Sequence, residues 1–107
     1  MSEARLASKI WVSALVRRVH DAGDFAAILW RGDAVAGEVV LVHRARTVEE
    51  RALRRVMRSA EQYSWQVTAT GDSVDSWVER QRSYDPDLWV VELDTPDLAR
   101  FIDEPIV

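Results

Sequence analysis

Two histidines, His20 and His43, a scatter of carboxylates and no cysteine are the material this chain offers for chemistry. Without cysteine there is no disulfide framework, thiolate zinc site or thiol nucleophile. The histidines stand in no His-Glu-x-x-His arrangement, and two are too few for most zinc sites, so both read as partly exposed structural residues. Gly32 and Gly37 flank a turn instead of opening a helix, and no Lys-Ser or Lys-Thr follows, which removes the phosphate-cradling loop. No serine sits in a nucleophile elbow. Asp85 and Asp87, two residues apart across Pro86, offer oxygen ligands to a hard cation but fall short of the six or more that calcium takes, so they read as a solvated turn. No metal and no cofactor is implied.

Two alternatives to a non-catalytic chain arise from the charged residues. A helix, a hairpin bearing Asp33 and Glu38, a further helix and a strand loosely resemble the core of metal-dependent restriction-type nucleases. The lysine expected two residues after the second acid is replaced by Val40, which argues against that chemistry. A basic patch of Arg44, Arg46, Arg51, Arg54, Arg55 and Arg58 raises nucleic-acid binding. Against it, strand geometry would split these side chains between two faces, and the sequence pI of about 5.1 is acidic where a dedicated binder is basic. The segment 44–58 carries +4 and the segment 72–107 carries −7, an asymmetry that suits mutual screening within one domain or self-association into a homodimer.

The elements that must position these residues follow from periodicity. Leu6, Ile10, Trp11, Ala14, Leu15, Val19 and Ala22 recur at helical spacing and Gly23 stops the run, predicting a helix over residues 5–22. Phe25–Trp30 and Val39–Val42, joined by turn residues 31–37, predict a hairpin. Residues 47–61 read as a helix, because Thr47-Val48-Glu49-Glu50 matches a capping box and Leu53, Val56, Met57 and Ala60 follow at helical spacing. Ser64–Thr70 alternates as a strand. Asp72 or Ser73 caps a second helix with the stripe Val74, Trp77, Val78 and Tyr84, stopped before Pro86. Leu88–Leu93 is a strand, and Thr95-Pro96 opens a short terminal helix through Phe101.

Three stretches resemble a known family. They are Ile10–Arg18, Gly32-Asp33 with Ala36-Gly37-Glu38-Val39, and Arg80-Gln81-Arg82-Ser83-Tyr84-Asp85-Pro86-Asp87-Leu88-Trp89-Val90-Val91-Glu92, and together they look like the bacterial, chiefly alphaproteobacterial, domain-of-unknown-function family 1491. The resemblance implies a strand hairpin over Arg51–Thr70 with Ala52–Arg58 as a strand and 59–63 as its turn. It implies no activity, ligand or catalytic residue. The expected fold is then α+β in one domain, residues 1–107: helix, four-strand antiparallel meander, helix, strand and short C-terminal helix, with helices packed on one face of a mainly antiparallel sheet. No apolar run approaches the ~20 residues of a membrane span, and no secretion signal is evident. The expected function is a small cytoplasmic interaction or accessory domain with a protein partner, more consistent with a non-enzyme than an enzyme.

Polar residues on apolar faces complete the list of candidates. At about 100° per residue Arg18 falls among Trp11, Ala14, Leu15 and Ala22, and Gln81 among Val74, Trp77, Val78 and Tyr84. Glu92 shares a strand face with Leu88 and Val90. An Arg18–Glu92 buried pair would satisfy both, since an unpaired buried charge is costly. Snorkelling of Arg18 toward Asp85 or Asp87 is the alternative.

Overall fold

A computed structural model describes residues 6–60 and 62–107. Helix α1 spans Ser8–Asp21, and strands β1 to β4 span Phe25–Trp30, Val39–Ala45, Val48–Ser59 and Gln62–Thr70. A 3-10 turn, Gly71–Ser73, leads into helix α2, Val74–Tyr84, followed by β5, Trp89–Asp94, and a second 3-10 turn, Leu98–Phe101. Gly23 ends α1 as expected: its φ of 88° is the left-handed geometry of a helix stop, and its N–H donates to the His20 carbonyl at 2.9 Å. The end of the chain departs from the expected helix, because residues 95–97 stay non-helical and only the single 3-10 turn forms.

The five strands form one mixed sheet in the order β1-β5-β2-β3-β4. The expected hairpin of β1 and β2 does not exist, because β5 inserts between them, antiparallel to β1 and parallel to β2. The reason lies in β5 itself. Val90 and Val91 are buried on opposite faces, as are Val40 and Leu41 of β2, and strands apolar on both sides belong at the centre of a sheet.

Residues 48–59 are strand, as the family resemblance implies and against the capping box. β3 pairs along its length with β2 and β4, and Ala52 and Leu53, adjacent in sequence, are fully buried in separate cores. Neighbouring ladders on both sides satisfy its backbone, which outweighs local helix signals. β3 reaches Ser59 and β4 begins at Gln62, so both strands extend into the expected turn 59–63.

The helices cover opposite faces, a second departure. On one side Val12, Leu15 and Val19 of α1 pack on Leu41, Leu53, Trp65, Trp89, Val91 and Leu93, with Leu98, Phe101 and Ile102 closing the end. On the other side Val74 and Val78 of α2 pack on Val40, Val42, Ala52, Leu88 and Val90. A sheet whose central strands are apolar on both faces needs a layer on each.

Each edge of this sheet is engaged at one residue by another part of the chain. Along β4, Trp65 N–H donates to the Pro105 carbonyl at 2.8 Å and Val107 N–H to the Trp65 carbonyl at 2.9 Å, forming a parallel bridge of Trp65 with Ile106. At β1, His20 Nε2 lies 3.2 Å from the Ala26 nitrogen and 3.0 Å from its oxygen. Unpaired edge groups invite other chains, and each contact satisfies the outward groups of one residue on its edge.

Candidate interaction face

The family-like stretches meet in space. Loop 31–38 folds over the turn 85–88: Asp33 N–H donates to the Asp87 carbonyl at 2.9 Å, Trp89 Nε1 to the Asp33 carbonyl at 2.7 Å, and Trp89 N–H to the Glu38 carbonyl at 2.8 Å. Gly32 and Gly37 lie so close to the Asp87 carbonyl that a β-carbon on either would overlap it. The same loop caps α1. Ser8 and Lys9 donate their N–H groups to Val35 and Ala34 carbonyls at 3.2 and 2.9 Å, and Ser8 Oγ donates to Gly37 at 2.6 Å. These replace the side-chain cap that α1 lacks.

That junction walls a cleft of about 690 Å³ on the α1 face, between the loop, the start of α1 and the β3–β4 hairpin. Leu6, Trp11, Val35 and Met57 supply apolar lining, while Glu38, Arg55 and Tyr63 supply polarity. Leu6 is 61%, Val35 72% and Met57 63% exposed, so the rim presents apolar surface to solvent. Beneath it Trp11 stacks on Trp65 with centroids 5.9 Å apart. Arg55 Nη2 donates to Glu104 at 2.7 Å, its guanidinium lies 4.1 Å over the Tyr63 ring, and Trp65 Nε1 donates to the other Glu104 oxygen at 3.1 Å. The sequence marked neither Glu104 nor the cleft. The only available signal was a tryptophan in the α1 stripe and another in β4.

The proposed Arg18–Glu92 pair is absent because the two residues lie on opposite sides of the sheet. Alternation in β5 sends Trp89, Val91 and Leu93 toward α1, and Leu88, Val90 and Glu92 toward α2. Arg18 is exposed and donates to the Phe101 carbonyl at 2.9 Å, reaching neither Asp85 nor Asp87. Glu92 instead accepts from Arg44 at 2.7 Å, and Arg44 also meets Glu50 at 3.0 Å and Asp75 at 2.9 Å. Gln81 is half-buried, and its backbone carbonyl accepts from Asp85 N–H at 2.9 Å, closing α2. Asp85 Oδ1 accepts from Asp87 N–H at 3.1 Å, so this pair builds a turn.

The arginines 44–58 form no continuous patch. Arg44 and Arg55 are engaged by acids of the segment 72–107, Arg54 by Glu38 at 3.2 Å, and Arg51 Nε donates to His43 Nδ1 at 3.2 Å. Arg46 and Arg58 stand near opposite ends of β3, a strand about 36 Å long. The opposed charge segments thus screen each other within one chain. Asp33 and Glu38 are also in structural use: Asp33 Oδ2 accepts from Val35 and Ala36 N–H at 3.1 and 2.8 Å, and Glu38 holds Arg54. Among the described residues no group of three or more His, Asp or Glu side chains could hold a metal ion.

His43 departs most from its expected exposure, being 2% exposed. Nδ1 accepts from Arg51, which leaves Nε2 as the N–H that donates to the Thr95 carbonyl at 2.7 Å. Burial lowers its pKa below the ordinary value, and Arg51 adds to that, while the Thr95 bond, Asp97 and Asp94 oppose it.

The chain is similar to several solved structures. A crystal structure of a DUF1491 family protein from Caulobacter crescentus is 34% identical over 96% of this chain and all of that one, with a TM-score of 0.86. An NMR structure of a DUF1491 family protein from the same organism is 33% identical, covering 98% and 99% of the two chains, with a TM-score of 0.84. A solution structure from A. tumefaciens, an alphaproteobacterium, is 31% identical over 97% and 100%, with a TM-score of 0.77. No curated protein matches. The model of the family described as "Protein of unknown function (DUF1491)" matches residues 6–103. With the loop 31–38, the turn 85–88 and α1 joined as one unit, the chain belongs to the DUF1491 family.

Proposed function

We propose that this chain is a non-catalytic cytoplasmic interaction domain and that its α1-face cleft receives a segment of a protein partner. The observation that carries the reading is the cleft's exposed apolar rim of Leu6, Val35 and Met57 around about 690 Å³. Side chains so exposed contribute little to the fold, whereas a contiguous apolar surface bordered by charge is the anatomy of a binding site. The surrounding architecture favours a rigid receptor. The loop is tied to the start of α1 and to β5 by main-chain hydrogen bonds, so that side of the cleft is preorganised. No described helix is long and apolar enough to cross a membrane.

The test is selection of a displayed-peptide library on the wild-type chain, followed by affinity measurement on Met57→Glu and Val35→Glu. Both positions are exposed, so the variants should stay within about 0.5 kcal/mol of wild-type stability. Enriched peptides should lose at least about tenfold in affinity on either variant. Binders indifferent to both substitutions, or no enrichment, would remove the reading.

A further inference from the structure

The edge of β4 beside the cleft is already filled by the chain's own residues 104–107, and the manner of filling describes a ligand. Glu104 places one carboxylate oxygen on Arg55 Nη2 and the other on Trp65 Nε1. Pro105 contributes only its carbonyl, which accepts from Trp65 N–H, and Val107 contributes only its N–H, which donates to the Trp65 carbonyl. Ile106, partly buried, packs against the core on the α1 side. We propose that this edge is a strand-addition site for an extended segment of a partner protein carrying an acidic residue, any residue including proline, an aliphatic residue and then a non-proline, and that residues 104–107 hold the site until such a segment replaces them. The inference rests on the interaction reading of this face and names the partner's chemistry.

Each position of that pattern has a physical reason. The acid is read by two donors from different strands, which fixes its place along the edge. Proline is tolerated next, because its missing N–H lies where none is required. The third side chain lies partly buried against the core, which favours an aliphatic residue, and the fourth must donate. Arg55 Nε is buried and has no acceptor. The internal segment therefore uses the guanidinium through one prong only, and an incoming carboxylate seated on both prongs would make a bond that Glu104 does not. The opposite edge is a poor rival, since His20 already sits against the Ala26 N–H and carbonyl of β1.

The experiment uses the full chain, ¹⁵N-labelled, with Ile106→Asp to weaken the internal strand, titrated with an acetylated and amidated peptide of the sequence 103–107. The Trp65 indole and backbone amides should shift saturably, the Glu104→Gln version of the peptide should bind at least about tenfold more weakly, and wild-type chain should bind the unmodified peptide more weakly than the variant does. If Ile106→Asp fails to fold, Glu104→Gln chain serves instead, because it keeps the aliphatic anchor. Absence of any Trp65 shift on a folded variant overturns the proposal. Shifts confined to Leu6, Val35 and Met57 would overturn it while leaving the cleft reading intact. A concentration-dependent dimer in which segments 104–107 are exchanged would overturn the partner assignment in favour of a second copy.

Discussion

Gly32→Ala tests whether the junction of loop 31–38 with turn 85–88 holds the fold. A β-carbon at Gly32 overlaps the Asp87 carbonyl oxygen and lies 2.7 Å from the carbonyl carbons of Asp87 and Leu88. All three are backbone atoms, so no flexible side chain can swing aside. The loop must shift, which strains or breaks the bonds from Asp33 N–H to Asp87 and from Trp89 Nε1 to Asp33. Overpacking costs about 1–3 kcal/mol, and two lost hydrogen bonds add roughly 1–3 kcal/mol. The expected loss is about 2–6 kcal/mol, a large share of the ~5–15 kcal/mol available to a domain. Near the middle of that range, about 4 kcal/mol, the melting temperature should fall by roughly 16–32 °C. Gly23→Ala is the control: it meets nothing within 4 Å but sits at φ 88°, so it should cost only about 1–2 kcal/mol from left-handed strain. Urea denaturation and thermal melts of both variants decide. A Gly32→Ala protein within 0.5 kcal/mol of wild type, to the order of such a measurement, would refute the reasoning.

Two further outcomes are expected. Arg44→Met leaves Glu92, Glu50 and Asp75 without their shared cation; because these groups are partly exposed, the loss should be about 1–2 kcal/mol, smaller in high salt, with double-mutant coupling larger to Glu92 than to the well-exposed Asp75. Stability should also depend on His43: its folded pKa lies below the ordinary 6.5, so the unfolded chain takes up the proton first, and the contribution is full above about pH 6.5 and is lost as pH falls through 6.5 toward the folded value. Melts of wild type and His43→Gln between pH 5 and pH 8, a window of about the titration width, should show this acid-side loss in wild type and a flatter profile in the variant.

By itself the sequence determined what depends on local spacing. Gly23 and Pro86 ended their helices, and alternation assigned Glu92 to the side of Leu88 and Val90; the helical stripes found Leu15, Val19, Val74 and Val78 but missed Val12 and counted Leu6, Ile10 and Tyr84, which are exposed. The apolar runs Phe25–Trp30, Val39–Val42 and Leu88–Leu93 were legible as strands, but not their places in the sheet: the first lies at an edge and the other two at the centre. Which strand lies beside which was not local information: β5 meets β2 some 50 residues away along the chain, and pairing is chosen by whichever arrangement buries both faces of both strands. The same choice put α1 and α2 on opposite sides, separated Arg18 from Glu92, and delivered Arg44 to three acids. Residues 48–59 show the conflict most clearly, since a capping box and a helical stripe lost to ladders on either side. Tertiary structure alone decided that Glu104 would reach Arg55 and Trp65, because a lone acid near Pro105 carries no periodicity, and its partners lie about 40–50 residues earlier in the chain on strands whose order the sequence does not encode locally.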